Sequence, residues 1–166
     1  MTTHEFELNI PRWDSLPAIG LYMDQVIRFV NDAFEDSFSK IGIKPITKSM
    51  INNYVKAKLV EAPEKKRYSR EALAMIIVVY MLKCCWATEE VGKLIKMGLK
   101  LGDNGITYNR FCDAMEATVS FVFAEDVNIK NDHIPDRENK YLMSTFALPF
   151  ACKCYAQITF LEGQLS

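Results

Sequence analysis

The chain has little with which to build a metal or catalytic centre. It carries two histidines, His4 and His133, no C-x-x-C pair among its five cysteines, no G-x-S-x-G and no glycine-rich phosphate-cradling loop. The cysteines fall at 84, 85, 112, 152 and 154. That spacing suits neither a tetrahedral zinc site nor a paired disulfide framework, and they read as reduced, mostly buried thiols. A soft-metal or redox role for Cys152 and Cys154 is the minor alternative. Carboxylates are scattered, and His133 has no nucleophile near it in sequence. The expectation is a protein that is not an enzyme and holds no cofactor or metal.

Long apolar runs are also missing. The most apolar stretch, 141–161, is interrupted by Pro149, Lys153 and Gln157, and a span needs about 20 predominantly apolar residues. It reads as a buried or interface helix. The opening Met-Thr-Thr-His-Glu-Phe-Glu is acidic and lacks the basic-then-apolar pattern of an export signal. A cytoplasmic protein with no membrane partner is expected.

What the 166 residues do contain is 49% apolar composition, enough for one domain or two small ones sharing an interface. The division expected falls at Gly102-Asp103-Asn104-Gly105, giving 1–104 and 105–166. The second part is a helical hairpin that completes the core, dimerises or binds a ligand.

Net charge is −1, but it is unevenly spread. Residues 1–39 carry two basic and seven acidic side chains, residues 40–70 nine basic and two acidic, and residues 71–166 nine and twelve. One basic centre therefore sits between acidic flanks, densest in "PEKKRYSRE" at 63–71. A solvated lysine surface is the ordinary explanation; a polyanion is the other partner such a segment suits.

Periodicity makes the chain all-α. Apolar spacing by three and four predicts a helix over Leu21–Phe38, with Gly42 and Pro45 as breakers. Thr47 is placed to cap a second helix running to about Lys58. At about 100° per residue, Met50, Ile51, Tyr54 and Val55 occupy roughly 200° to 340° of it, and Lys48, Ser49, Asn52, Asn53 and Lys56 roughly 0° to 140°. One face is apolar and the other is basic, hydroxyl or amide, the types that read base edges and phosphates. Ser69 caps a third helix through the buried run Leu73–Leu82. Thr88 with Glu89 and Glu90 starts a fourth, to about Leu101. A fifth spans about Thr107–Ala124, a polar loop covers 125–140, and an apolar helix ends the chain. Strand is limited to a short hairpin around 60–68.

The stretch "ITKSMINNYVKAKLVEAPEKKRYSREAL" resembles the winged helix-turn-helix of MerR-type transcriptional regulators. Thr47, Tyr54 and Leu59 fall in register with that family's recognition helix, and Arg67-Tyr68-Ser69-Arg70-Glu71 with the end of its wing. "ATEEVGKLI" at 87–95 follows the family's next helix. More narrowly, "LYMDQV" and "INNYVK" make the chain similar to a bacterial MerR-like group known as a domain of unknown function. The resemblance implies a MerR-like winged helix-turn-helix with a short wing, followed by a C-terminal helical region. It also implies a transcriptional regulator binding double-stranded DNA as a homodimer, with a small-molecule effector open. Asn52 and Asn53 would then meet adenine edges, Lys48 a guanine or a phosphate, and Ser49 the groove; Lys56, Lys65, Lys66 and Arg67 would take phosphates. Tyr54 is either a phosphate contact or a core aromatic.

Two departures favour the alternative, a protein-interaction module on the same scaffold: Asn52 stands where the family has arginine, and the wing is cut to "APEKKRY". Lys58 also departs from the family pattern, which has glycine there. Phe111, Met115, Val119, Val122, Phe123, Phe146, Phe150, Tyr155 and Phe160 supply apolar surface for a core or, less simply, a dimer seam.

Overall fold

The structure is a computed structural model that describes residues 6–123 and 137–161. His4, His133 and the loop 125–136 lie outside the described residues, as do the side chains of Leu101, Phe160 and residues 137–145.

The elements run as a 3₁₀ turn Trp13–Ser15, β1 Leu21–Tyr22, α1 Met23–Lys40, α2 Lys48–Lys56, β2 Arg67–Tyr68, α3 Arg70–Leu82, α4 Thr88–Gly98, a 3₁₀ turn Leu99–Leu101, α5 Asn104–Phe123 and α6 Arg137–Ala156. A π-helical turn Gln157–Leu161 follows. The molecule is mostly helical with one two-stranded antiparallel sheet, in which Leu21 faces Tyr68 and Tyr22 faces Arg67.

Three helix starts depart from the sequence pattern. Leu21 and Tyr22 are extended rather than helical, and the Tyr22 amide donates to Gln25 Oε1 at 2.9 Å to start α1. α5 begins at Asn104 instead of about Thr107, because Asp103 Oδ1 accepts from Gly105 N at 2.9 Å. Gly105 is therefore not a turn residue. A Cβ there would lie 3.0 Å from the Trp13 ring, so the glycine permits close packing instead. The four residues 137–140, expected in a loop, begin α6.

The connector between α1 and α2 is longer than a standard turn, and three side-chain bonds hold it. Asn31 Nδ2 donates to Ile46 O at 3.2 Å while Ile46 N donates to Asn31 Oδ1 at 2.8 Å, and Tyr80 Oη donates to Lys44 O at 2.7 Å. α3 is apolar on nearly every side and accordingly buried, with Ile76, Ile77, Val79 and Met81 fully enclosed. Phe34, Phe38, Tyr80 and Phe150 form an aromatic cluster linking α1, α3 and α6. Among the described residues a cluster of buried side chains extends from Phe6 to Cys154. Phe111, Met115, Val119, Phe146 and Phe150 belong to it; Val122 and Phe123 are half-buried against it, and Tyr155 stands at the surface. Among the described residues no helix is long and apolar enough to cross a membrane.

Candidate functional site

α2 owes its length to its two caps. Thr47 Oγ1 accepts from Met50 N at 3.3 Å. At the other end Lys58 N donates to Val55 O and Leu59 N to Tyr54 O, both at 3.0 Å, with Lys58 at φ 58°. This is the Schellman arrangement, whose left-handed residue is usually glycine. The helix therefore stops at Lys56 rather than Lys58.

Within α2 the predicted faces separate as expected. Lys48, Ser49, Asn52, Asn53 and Lys56 are exposed, Ile51 and Tyr54 buried, Met50 and Val55 half-buried. Tyr54 is 6% exposed and so a core aromatic. Burial, and secondarily Cys84, pushes its phenol up to about 12.

The remaining three candidate residues meet in a turn. Glu64 N donates to Arg67 O at 3.0 Å and Arg67 N to Glu64 O at 2.8 Å, closing a two-residue loop with Lys65 at φ 47° and Lys66 at φ 68°. Two positive φ values in succession mark a type I′ turn, where Asn-Gly is the usual pair. The hairpin expected over 60–68 shrinks to this turn, because Pro63 has no N–H to give a ladder and β2 pairs with β1 instead. Lys65, Lys66 and Arg67 are all exposed.

Aromatic rings support the arginines beside the turn. The Arg67 guanidinium lies 4.8 Å from the Tyr22 ring centroid and donates to Tyr22 Oη at 3.2 Å. Arg70, the first residue of α3, lies 5.6 Å from the Trp13 ring. Trp13 is held by α5: its amide donates to Asn109 Oδ1 at 2.9 Å, and Arg12 is ion-paired with Asp113 and Glu116. Neither Trp13 nor Tyr22 carries a sequence signal for a site, and Arg70 registers only as part of the basic cluster.

A hollow of about 1170 Å³ forms an apolar cleft between the end of α2, α3, α4 and α5, with Val78, Ile95 and Phe111 among its walls. It takes in the Tyr108, Phe111 and Phe146 rings of the C-terminal helices but is bounded mainly by the central ones. Among the described residues no three His, Cys, Asp or Glu side chains converge as metal ligands.

Residues 11–111 match the family described as a domain of unknown function (DUF1836). The chain belongs to this family. The matched segment contains α2, the turn, and the Trp13, Tyr22 and Arg70 side chains, and it ends within α5. No curated protein and no solved structure matches the chain.

Proposed function

We propose that the protein is a DNA-binding transcriptional regulator of the MerR-like winged helix-turn-helix type. In this reading α2 enters the major groove, with Asn52 and Asn53 facing base edges and Lys48, Ser49 and Lys56 beside them. The turn Glu64–Arg67 is a short wing whose Lys65, Lys66 and Arg67 neutralise phosphates. A homodimer is part of the proposal, since one such helix reads too few base pairs to be selective.

The observation that carries the reading is the acid-free exposed face of α2, followed in the chain by two lysines held in left-handed backbone. A left-handed non-glycine residue costs roughly 1–2 kcal/mol. Strain of this kind clusters where function needs it, and a solvated loop would be served better by Asn-Gly.

Selection of bound duplexes from a random library tests the groove assignment. The wild type should enrich a preferred site, and Asn52→Ala/Asn53→Ala should relax that preference by about 1–3 kcal/mol per lost base contact while retaining non-selective binding. Failure of the wild type to retain any duplex would leave the surface to a protein partner.

A further inference from the structure

Three local rules are broken around one hollow of about 1000 Å³, bounded by the arm carrying Trp13 and Gly20, by Tyr22, by the turn, and by the start of α3. Lys65 lines it from a left-handed turn position. Arg70 lines it as the first residue of α3, where the positive end of the helix dipole disfavours a cation. The Arg70 Nε is shielded from solvent and has no hydrogen-bond partner, although a buried donor is normally satisfied. Where local rules fail together, a functional site is the usual reason.

We infer that this hollow is a seat for a phosphate group, with Arg70 and Arg67 as its two forks. The inference deepens the DNA reading, on which it rests for the source of the phosphate. Each guanidinium is spread over an aromatic ring, Arg67 on Tyr22 and Arg70 on Trp13. Such contacts help to hold a fork in place; Arg67 gives one donor to Tyr22 Oη and keeps its others, and two held forks suit an oxygen-rich tetrahedral anion. Glu64 and Glu71 also line the hollow. Both carboxylates are exposed, and among the described residues neither is ion-paired with Lys65, Arg67 or Arg70. The cations are thus left available to an outside anion. The hollow opens to solvent, and the expected source is a phosphodiester of duplex DNA.

The test uses the full chain in a Trp86→Phe background, so that Trp13 is the only tryptophan and is excited selectively at the red edge of its absorption. Duplex DNA and inorganic phosphate are titrated separately, and duplex affinity is measured across a salt series. DNA should alter Trp13 emission, and Arg70→Gln should flatten the log–log salt slope by about 0.9, the value for one phosphate. Arg70→Lys should keep the slope while weakening binding, because it retains the charge and loses the fork; this separates contact from misfolding. A response to inorganic phosphate with none to DNA would support the seat and remove the DNA source. DNA binding with an unchanged slope in Arg70→Gln and a silent Trp13 would overturn the inference and leave the DNA reading standing. Silence toward both titrants in a folded wild type would overturn it as well.

Discussion

Lys58, Lys65 and Lys66 occupy the left-handed backbone region, yet they are not equivalent. Lys58 ends a helix, and its side chain is not needed to close the Schellman bonds. Lys58→Gly should therefore stabilise the fold by about 0.5–1 kcal/mol, raising Tm by about 2–3 °C; a lower Tm would contradict the cap. In the turn, Lys65→Asn/Lys66→Gly should move stability and affinity in opposite directions. The fold should gain about 1 kcal/mol or more from relieved backbone strain. Duplex binding should lose about 1.8 from its salt slope, two phosphates' worth. Parallel melts and binding titrations read both, and a gain or loss in the two together would show that the strain and the charge are unrelated.

At the scale of elements, local chemistry made some parts legible and hid others. Thr47 and Ser69 announce α2 and α3 because their hydroxyls accept from the first-turn amides in the way their positions require. The two faces of α2 separate as the helical period predicts. β1 has no such signal, being two residues long, and it forms only because Tyr68 and Arg67 return to pair with it. The α5 start was obscured because Gly105 is shaped by contact with Trp13 rather than by a turn. The same contact explains why the Arg70 half of the hollow is invisible in the sequence: Trp13 reaches it only through α5. Two substitutions test this linkage. Gly105→Ala should place a methyl against the Trp13 ring and cost about 1–3 kcal/mol. Glu116→Ala should cost about 1–2 kcal/mol by stripping acceptors from Ile10 N and Arg12. Urea denaturation measures both, and neutral effects would detach the arm from α5.

The whole molecule places most of its titratable thiols and phenols in apolar surroundings. Burial pushes Cys84, Cys112 and Cys154 up to about 12, and Tyr80 and Tyr108 rise for the same leading reason. Cys84 also sits beside α6, where Lys153 Nζ donates to its carbonyl at 2.8 Å. In an unfolded chain these thiols titrate near 8.5. Above that pH the unfolded state has released protons that the folded state still holds, so stability falls with rising pH. The contribution is complete below about pH 8.5 and is lost as pH climbs toward 12. The urea midpoint should hold steady from pH 7 to 8 and decline steeply above 9, and Cys112→Ala should reduce that decline. A midpoint flat to pH 11 would contradict the burial of these groups. The net charge of −1 conceals a basic centre, so affinity for a polyanion should come from a few local contacts rather than from the general field. Fluorescence anisotropy on a random duplex across a salt series, comparing wild type with Lys65→Ala/Lys66→Ala/Arg67→Ala, tests this most directly. The account predicts salt-sensitive binding whose log–log slope flattens by up to about 2.7 in the variant; absence of binding at low salt, or an unchanged slope, would contradict it.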